Sequence, residues 1–310
     1  MRPELRTAFL LSLLAISTIA VLTPATSTFA ASVSCGEILT TSVTLTNNIG
    51  PCTGNGLAIG SSGITLNCAG MTITGLGAGS GVGIGIDMES VTGVTIKNCT
   101  VANFGVSAFL LSSSSSNRLM GNTATGNNEG FALLSSNDNT LIGNIATGQS
   151  STSGGGDGFF LISSSTNLLI SNTASDGSGT GFALARSFSN TLVGNTASHN
   201  SHGGFLFVLS YSNTLIGNRA SGNGRAGFVL FSSSSNEFNG DRANENVPNG
   251  FFLDSTSSTN TLTGVVASNN IAYGYVDLTS GSATASTANT YTGTSCVGDG
   301  LGGSVPPGLC

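Results

Sequence analysis

Asn139-Thr140-Leu141-Ile142-Gly143-Asn144-Ile145-Ala146 returns as Asn190-Thr191-Leu192-Val193-Gly194-Asn195-Thr196-Ala197, and again as Asn213-Thr214-Leu215-Ile216-Gly217-Asn218-Arg219-Ala220. Looser copies start at Asn117, Asn167, Asn236, Asn260 and Asn289, with degenerate ones near Ile64 and Val94. From Asn117 onward the starts are separated by 22, 28, 23, 23, 23, 24 and 29 residues. Helical-pair repeats need a longer period, and a helix would place apolar residues every third or fourth position. Here short alternating runs of Thr, Val, Leu and Phe are punctuated by Gly and Asn, the pattern of strands and turns. Leucine-rich repeats are of similar length but need several Leu per unit and a helical half, and both are missing.

Each unit therefore reads as one coil of an all-β parallel solenoid, about 9–10 coils of roughly 23 residues, stacked ~4.8 Å apart into a rod of about 45 Å. Identical side chains then pile into columns. Leu119, Leu141, Leu169, Leu192, Leu215, Phe238 and Leu262 point inward, as do the alanines from Ala124 to Ala267. Phe131, Phe159, Phe182, Phe205, Phe228, Phe251 and Tyr275, each just after a Gly, fill the wider end. Asn122, Asn144, Asn172, Asn195 and Asn218 form a buried ladder, tolerable because each amide can bond to the coils above and below. These asparagines are structural, not catalytic.

Composition agrees. Only 22 of 310 residues are charged, while 39% are apolar, which excludes a disordered chain. Glycine reaches 45 but without a three-residue period, which excludes collagen. A pI near 4.6 and a single lysine, Lys97, leave no basic footprint for nucleic acid. Residues 1–30 read as a secretory signal: Arg2 and Arg6, an apolar run over 8–22, then Thr28-Phe29-Ala30 before a cut at Ala31. The run is short of the ~20 residues a membrane anchor needs. Removing the signal leaves six basic and 13 acidic residues, a formal charge of −7, on an exported chain with no further span. The expected organisation is a cap over 31–62, repeats over 63–288 and a second cap over 289–310.

All six cysteines fall after the signal, an even number suited to an oxidising compartment. Six allow 15 pairings. Neighbour pairing, Cys35 with Cys52, Cys68 with Cys99 and Cys296 with Cys310, is preferred because it staples both ends. A metal site is the alternative, but there is no CxxC or Cys/His cluster.

The pattern NTLxGNxAxxNxxxGFxLxxS resembles the right-handed parallel β-helix repeats of the NosD-like group of exported carbohydrate-binding and sugar-hydrolase proteins. The stretch Cys35…Gly-Pro-Cys52…Ile-Thr-Leu-Asn-Cys68 is similar to their N-terminal cap, and Cys296…Pro-Pro-Gly-Leu-Cys310 to their tail. The resemblance implies a right-handed solenoid and a carbohydrate or cell-envelope partner. It is weak on chemistry, since one scaffold carries many functions. The acidic calcium cluster with an Arg or Lys base of the lyases is missing, as is the Asn-Thr-Asp, Asp-Asp, Gly-His-Gly and Arg-Ile-Lys set of polygalacturonases. With three Met and two His after the signal, NosD's link to copper-enzyme maturation does not carry over. No cofactor is expected, calcium being required only by a lyase.

Two surfaces stand out. Counted from each coil's first Asn, Asp176, His199 and Glu245 share one turn position, and Glu129, His202 and Arg225 another; a longer loop over 149–157 leaves the same edge. This is the weak catalytic candidate, with solvated turn residues as the plainer reading. Arg219 and Arg242, beside Glu237, read as a surface salt-bridge network or an acidic-sugar contact. The second surface is apolar. If Phe159 and Leu161 point in, then Phe160 and Ile162 point out, and the outward columns collect Leu206, Val208, Val229, Phe231 and Phe252. This gives roughly 450 Å² of flat apolar face, for which a second copy, the envelope or the tail beyond Ser280 is the expected cover. A one-residue slip would instead send these side chains inside. Ice binding would need regular Thr-x-Thr ladders, and the Thr/Ser column is too mixed to supply them. The expected function is a non-catalytic carbohydrate-binding or surface interaction protein, with a polysaccharide lyase or glycoside hydrolase at the His199/His202 edge as the alternative.

Overall fold

The computed structural model describes residues 29–151 and 155–310, with side chains from residue 32. Residues 1–28 of the signal expected over 1–30, and residues 152–154 of the 149–157 loop, lie outside the described residues. The chain is a right-handed parallel β-helix. Three parallel sheets of twelve, twelve and ten strands run its length, so about ten turns visit all three faces. Each sheet is named here for its inward column. The Leu sheet holds Thr140–Ile142, Leu168–Ile170 and Thr191–Val193; the Ala sheet holds Ile145–Thr147, Thr173–Ser175 and Thr196–Ser198; the Phe sheet holds Phe159–Ile162, Phe182–Ala185 and Phe205–Val208. Strands over 37–59 already belong to the Leu and Phe sheets.

Why these residues make three flat faces follows from their size. The Phe column, which begins one coil earlier than expected at Phe109, stacks ring on ring at 4.6–5.0 Å down to Tyr275. Such wide rings fit only because the facing column is alanine, fully buried from Ala124 to Ala267. From Phe131 onward the Gly before each ring is required by that closeness, whereas Phe109, whose coil has Val101 in the facing column, follows Ala108. A Cβ on Gly204 would lie 2.6 Å from the Ala220 Cβ and 2.6 Å from the Gly227 carbonyl oxygen.

Corners are made by left-handed residues followed by buried polar ones. Gly143, Gly194 and Gly217 (φ 61–64°) precede Asn144, Asn195 and Asn218, which turn inward. The ladder is directional. Asn172 donates from its backbone N–H (2.9 Å) and its Nδ2 (3.0 Å) to Asn195 Oδ1, and Asn195 Nδ2 donates to the Leu169 carbonyl (2.9 Å). Two more amide ladders occupy the other corners, one through Asn139, Asn167, Asn190 and Asn213, the other through Asn200, Asn223, Asn246 and Asn270. A serine ladder runs beside the first, through Ser164, Ser187 and Ser210.

All four ladders end on an aspartate. Asn218 Nδ2 donates to Asp241 (2.9 Å), Asn270 Nδ2 to Asp299 (2.9 Å), Asn289 Nδ2 to Asp277 (3.0 Å) and the Ser257 hydroxyl to Asp254 (2.7 Å). The last amide of a directional ladder needs an acceptor, and a carboxylate accepts without having donors of its own to satisfy. The disulfides are Cys35–Cys52, Cys68–Cys99 and Cys296–Cys310, the neighbour pairing. Cys99 also receives the Asn122 ladder, its N–H donating to Asn122 Oδ1 (3.1 Å).

Candidate functional site

The edge where the Ala sheet turns into the Phe sheet gathers ionisable groups. Its columns are fixed by the Phe, not by the Asn. Gly179, His202, Arg225 and Pro248 lie three residues before a Phe, and His202 N–H donates to the Gly179 carbonyl (3.0 Å) as Arg225 N–H does to that of His202 (3.1 Å). Glu129 lies two before Phe131, so it does not share the His202/Arg225 column as the Asn count implied. Its column is that of Asp157, Thr180, Gly203, Ala226 and Asn249. The segment between Asn127 and Phe131 is one residue shorter than that between Asn200 and Phe205.

On the C-terminal half of this edge lies a pocket of about 310 Å³. His202, Arg225, Pro248 and Asn249 form its rim, and Leu206, Val229, Phe231 and Phe252 its apolar wall. The two surfaces read separately from the sequence therefore meet in one place.

Asp176, His199 and Glu245 stay outside it. They occupy a shared corner column with φ of 54–57°, where Gly148 and Gly222 stand on other coils, and all three are exposed. Their backbone makes the bend. A left-handed conformation is the rule in this column, so it marks no special strain.

On the N-terminal half of the edge Glu129 and Asp157 sit on adjacent coils. Glu129 accepts from the N–H of Gly156 (3.2 Å) and of Asp157 (2.9 Å), and Asp157 accepts from Thr180 N–H (2.6 Å). Burial, reinforced by the Asp157 charge, pushes the Glu129 carboxyl up to about 8. Burial also raises Asp157, partly offset by the Thr180 N–H and the nearby His202. Asp157 was missed because the 28-residue coil spacing hides it when positions are counted from Asn139.

The outward columns of the Phe sheet are as the alternation requires. Phe159 and Leu161 are fully buried, whereas Phe160, Ile162, Leu206, Val208 and Phe252 are partly exposed and Phe231 is 42% exposed. Val229 is shielded by its larger neighbours (9%). No register slip has occurred. At the opposite edge of this face Phe188 and Tyr211 stack in parallel at 5.5 Å, both exposed. The sequence signal for them was two aromatics at one position, each following a ladder serine. Arg219 and Arg242 are register partners in the Ala sheet, exposed side by side, with Glu237 on the Leu sheet; this is a pair of like charges rather than a network centred on Glu237.

Residues 38–209 match the family described as periplasmic copper-binding protein (NosD), and 147–291 match a right-handed β-helix region. The chain belongs to the NosD family. Its donor set does not fit copper, which favours thiolate, thioether and imidazole ligands. All six cysteines are in disulfides, Met88 is in the core, and among the described residues no three His, Cys, Asp or Glu side chains gather. No curated protein matches the sequence. Among solved structures the A-module of the Azotobacter vinelandii mannuronan C-5 epimerase AlgE4 is similar at 13% identity and a TM-score of 0.57, over 89% of this chain and 88% of that one. The catalytic domain of a GH87 α-1,3-glucanase, solved with tetrasaccharides, gives 14% and 0.60 over 88% of this chain and 61% of that one. The Dettilon tailspike protein gives 16% and 0.66 over 87% and 60%. The chain thus spans about three-fifths of the latter two. At such identities the likeness is one of fold. Among the described residues no helix is long and apolar enough to cross a membrane.

Proposed function

We propose that the protein is an exported, non-catalytic binding protein of the cell exterior or envelope, and that it takes carbohydrate at the pocket between His202, Arg225 and Phe252. The observation that carries this reading is the joining of an apolar wall to a polar rim in one pocket. A sugar ring presents an apolar C–H face and a hydroxyl edge. Leu206, Val229 and Phe252 suit the first; Arg225, His202 and Asn249 suit the second. The disulfides and the family's periplasmic description support the location. The epimerase and glucanase, which share the fold, make a polysaccharide the natural class of ligand.

The alternative, a lyase or glycoside hydrolase, draws on Glu129, whose raised carboxyl keeps a proton at neutral pH beside Asp157. Both carboxylates already hold backbone N–H groups of the turn, which favours the structural role. No cofactor enters the binding reading, and calcium belongs to the lyase alternative alone. The test is retention on a panel of insoluble polysaccharides. Arg225→Ala and Phe252→Ala should each weaken retention about tenfold, while His199→Ala leaves it unchanged. Equal retention by wild type and both pocket variants would discard the site.

A further inference from the structure

The outer face of the Phe sheet has an internal symmetry that a single chain does not need. Eight strands, from Ser107–Ser112 to Tyr273–Asp277, carry the apolar outward columns. Successive register partners in the first column are Leu110, Ala132, Phe160, Ala183, Leu206, Val229, Phe252 and Val276. The midpoint of this run falls between Phe182–Ala185 and Phe205–Val208. Counting outward from it pairs Ala183 with Leu206, Phe160 with Val229, Ala132 with Phe252 and Leu110 with Val276. Each pair sets a larger side chain against a smaller one.

One pair of opposite charges on the turn edge is placed about the same midpoint: Asp157 on the N-terminal side and Arg225 on the C-terminal side. The coils of Asp157 and Arg225 are equidistant from the centre. So are Phe188 and Tyr211, the exposed stacked pair at the other edge.

We infer that this face is an isologous contact between two copies of the chain, packed antiparallel about a twofold axis that runs along the strand direction through that midpoint. Such an axis keeps each column opposite itself and reverses the order of coils, so bulge meets hollow and Asp157 lies opposite Ala226, one residue from the long side chain of Arg225. The neighbouring column then sets Ala185 against Val208 and Ile162 against Phe231. Leu134 lies opposite Asp254, whose carboxylate is already held by the Ser232 N–H and the Ser257 hydroxyl. Eight strands at ~4.8 Å and the width of two columns with both edges give a footprint on the order of 600–800 Å² per copy, the scale of a specific dimer. Away from the polar rim of the pocket these columns are almost without polar side chains, a poorer match for a glycan, rich in hydroxyls, than for a second apolar face. This inference goes beyond the carbohydrate reading and does not require it.

The test is the mass of the purified protein in solution by sedimentation or light scattering from 1 to 100 μM. Twice the 30.7 kDa chain, less any cleaved segment, is expected, and a monomer throughout overturns the proposal. Ala183→Glu, at the centre of the contact, should give a monomer that keeps the β-sheet circular dichroism and a cooperative melt, at a temperature that no longer depends on protein concentration. Arg225→Glu, an exposed substitution, should weaken dimerisation at least tenfold. A dimer indifferent to both changes would refute this face. Orientation is read by oxidation: Phe160→Cys mixed with Val229→Cys should cross-link while neither does alone. Efficient cross-linking of Val229→Cys with itself would mean parallel rods and overturn the arrangement. Loss of polysaccharide retention in Arg225→Ala without loss of the dimer, or the converse, separates the two readings.

Discussion

At the scale of single residues, the buried carboxylates are the most sensitive probes. Asp241, fully buried at the end of the Asn218 ladder, is pushed up to about 7 by desolvation, against the hydrogen bonds from Asn218 and Asn239 that favour its charge. Glu129 rises to about 8. Both bind their proton more tightly in the folded than in the unfolded chain, so folding takes up protons between about pH 4 and 8. Stability should therefore be highest near pH 4–5 and fall as pH rises through that window, by on the order of 2–4 kcal/mol for each group. Melting temperatures at pH 5 and pH 8 check this, and Asp241→Asn and Glu129→Gln should each flatten the slope. A melting temperature that rises with pH would refute the assignment. Within a ladder, Asn195→Ala strands the backbone N–H and Nδ2 of Asn172 and the Leu169 carbonyl in a dry corner. A loss of roughly 3–6 kcal/mol is expected by chemical denaturation.

At the scale of elements, one coil is held by the fit between a stacked phenylalanine and the alanine opposite. Gly204→Ala should destabilise by about 1–3 kcal/mol, because the added Cβ meets both Ala220 and the next coil's backbone. The corresponding change at Gly217, a left-handed corner with open space around it, carries only a backbone penalty of about 1 kcal/mol. Most of this element was readable in advance. Period, inward columns and the Asn122–Asn218 ladder follow from residues that recur at one spacing, and repetition is what a single sequence displays best. What it displays poorly is a single exception to a column. Asp241, Asp254, Asp277 and Asp299 look like ordinary surface acids until the ladders they end are traced in space. Glu129 fell in the wrong column for a related reason. The turn before the Phe varies by a residue between coils, and an offset counted across it from the Asn carries that error into register.

At the scale of the whole molecule, the rod must protect two ends and explain one apolar side. The C-terminal strands Ser295–Val297 and Gly302–Val305 present sheet edges, and the tail is tied back to them by the buried Leu309 and the Cys296–Cys310 disulfide. Replacing both cysteines by Ser should lower stability by about 2–4 kcal/mol and increase concentration-dependent aggregation, seen by light scattering on heating. The apolar side is shared between two uses, since the pocket wall and the proposed contact both include Leu206, Val229 and Phe252; occupancy of one excludes the other on the same face. The central claim is that this surface binds and does not catalyse. It is tested most directly by incubating the purified protein with the polysaccharide that retains it and analysing the products. The account predicts retention with no new reducing ends, no unsaturated uronic ends and unchanged sugar stereochemistry. Chain ends or epimerised residues that increase in proportion to protein, and that disappear in Glu129→Gln, would contradict it.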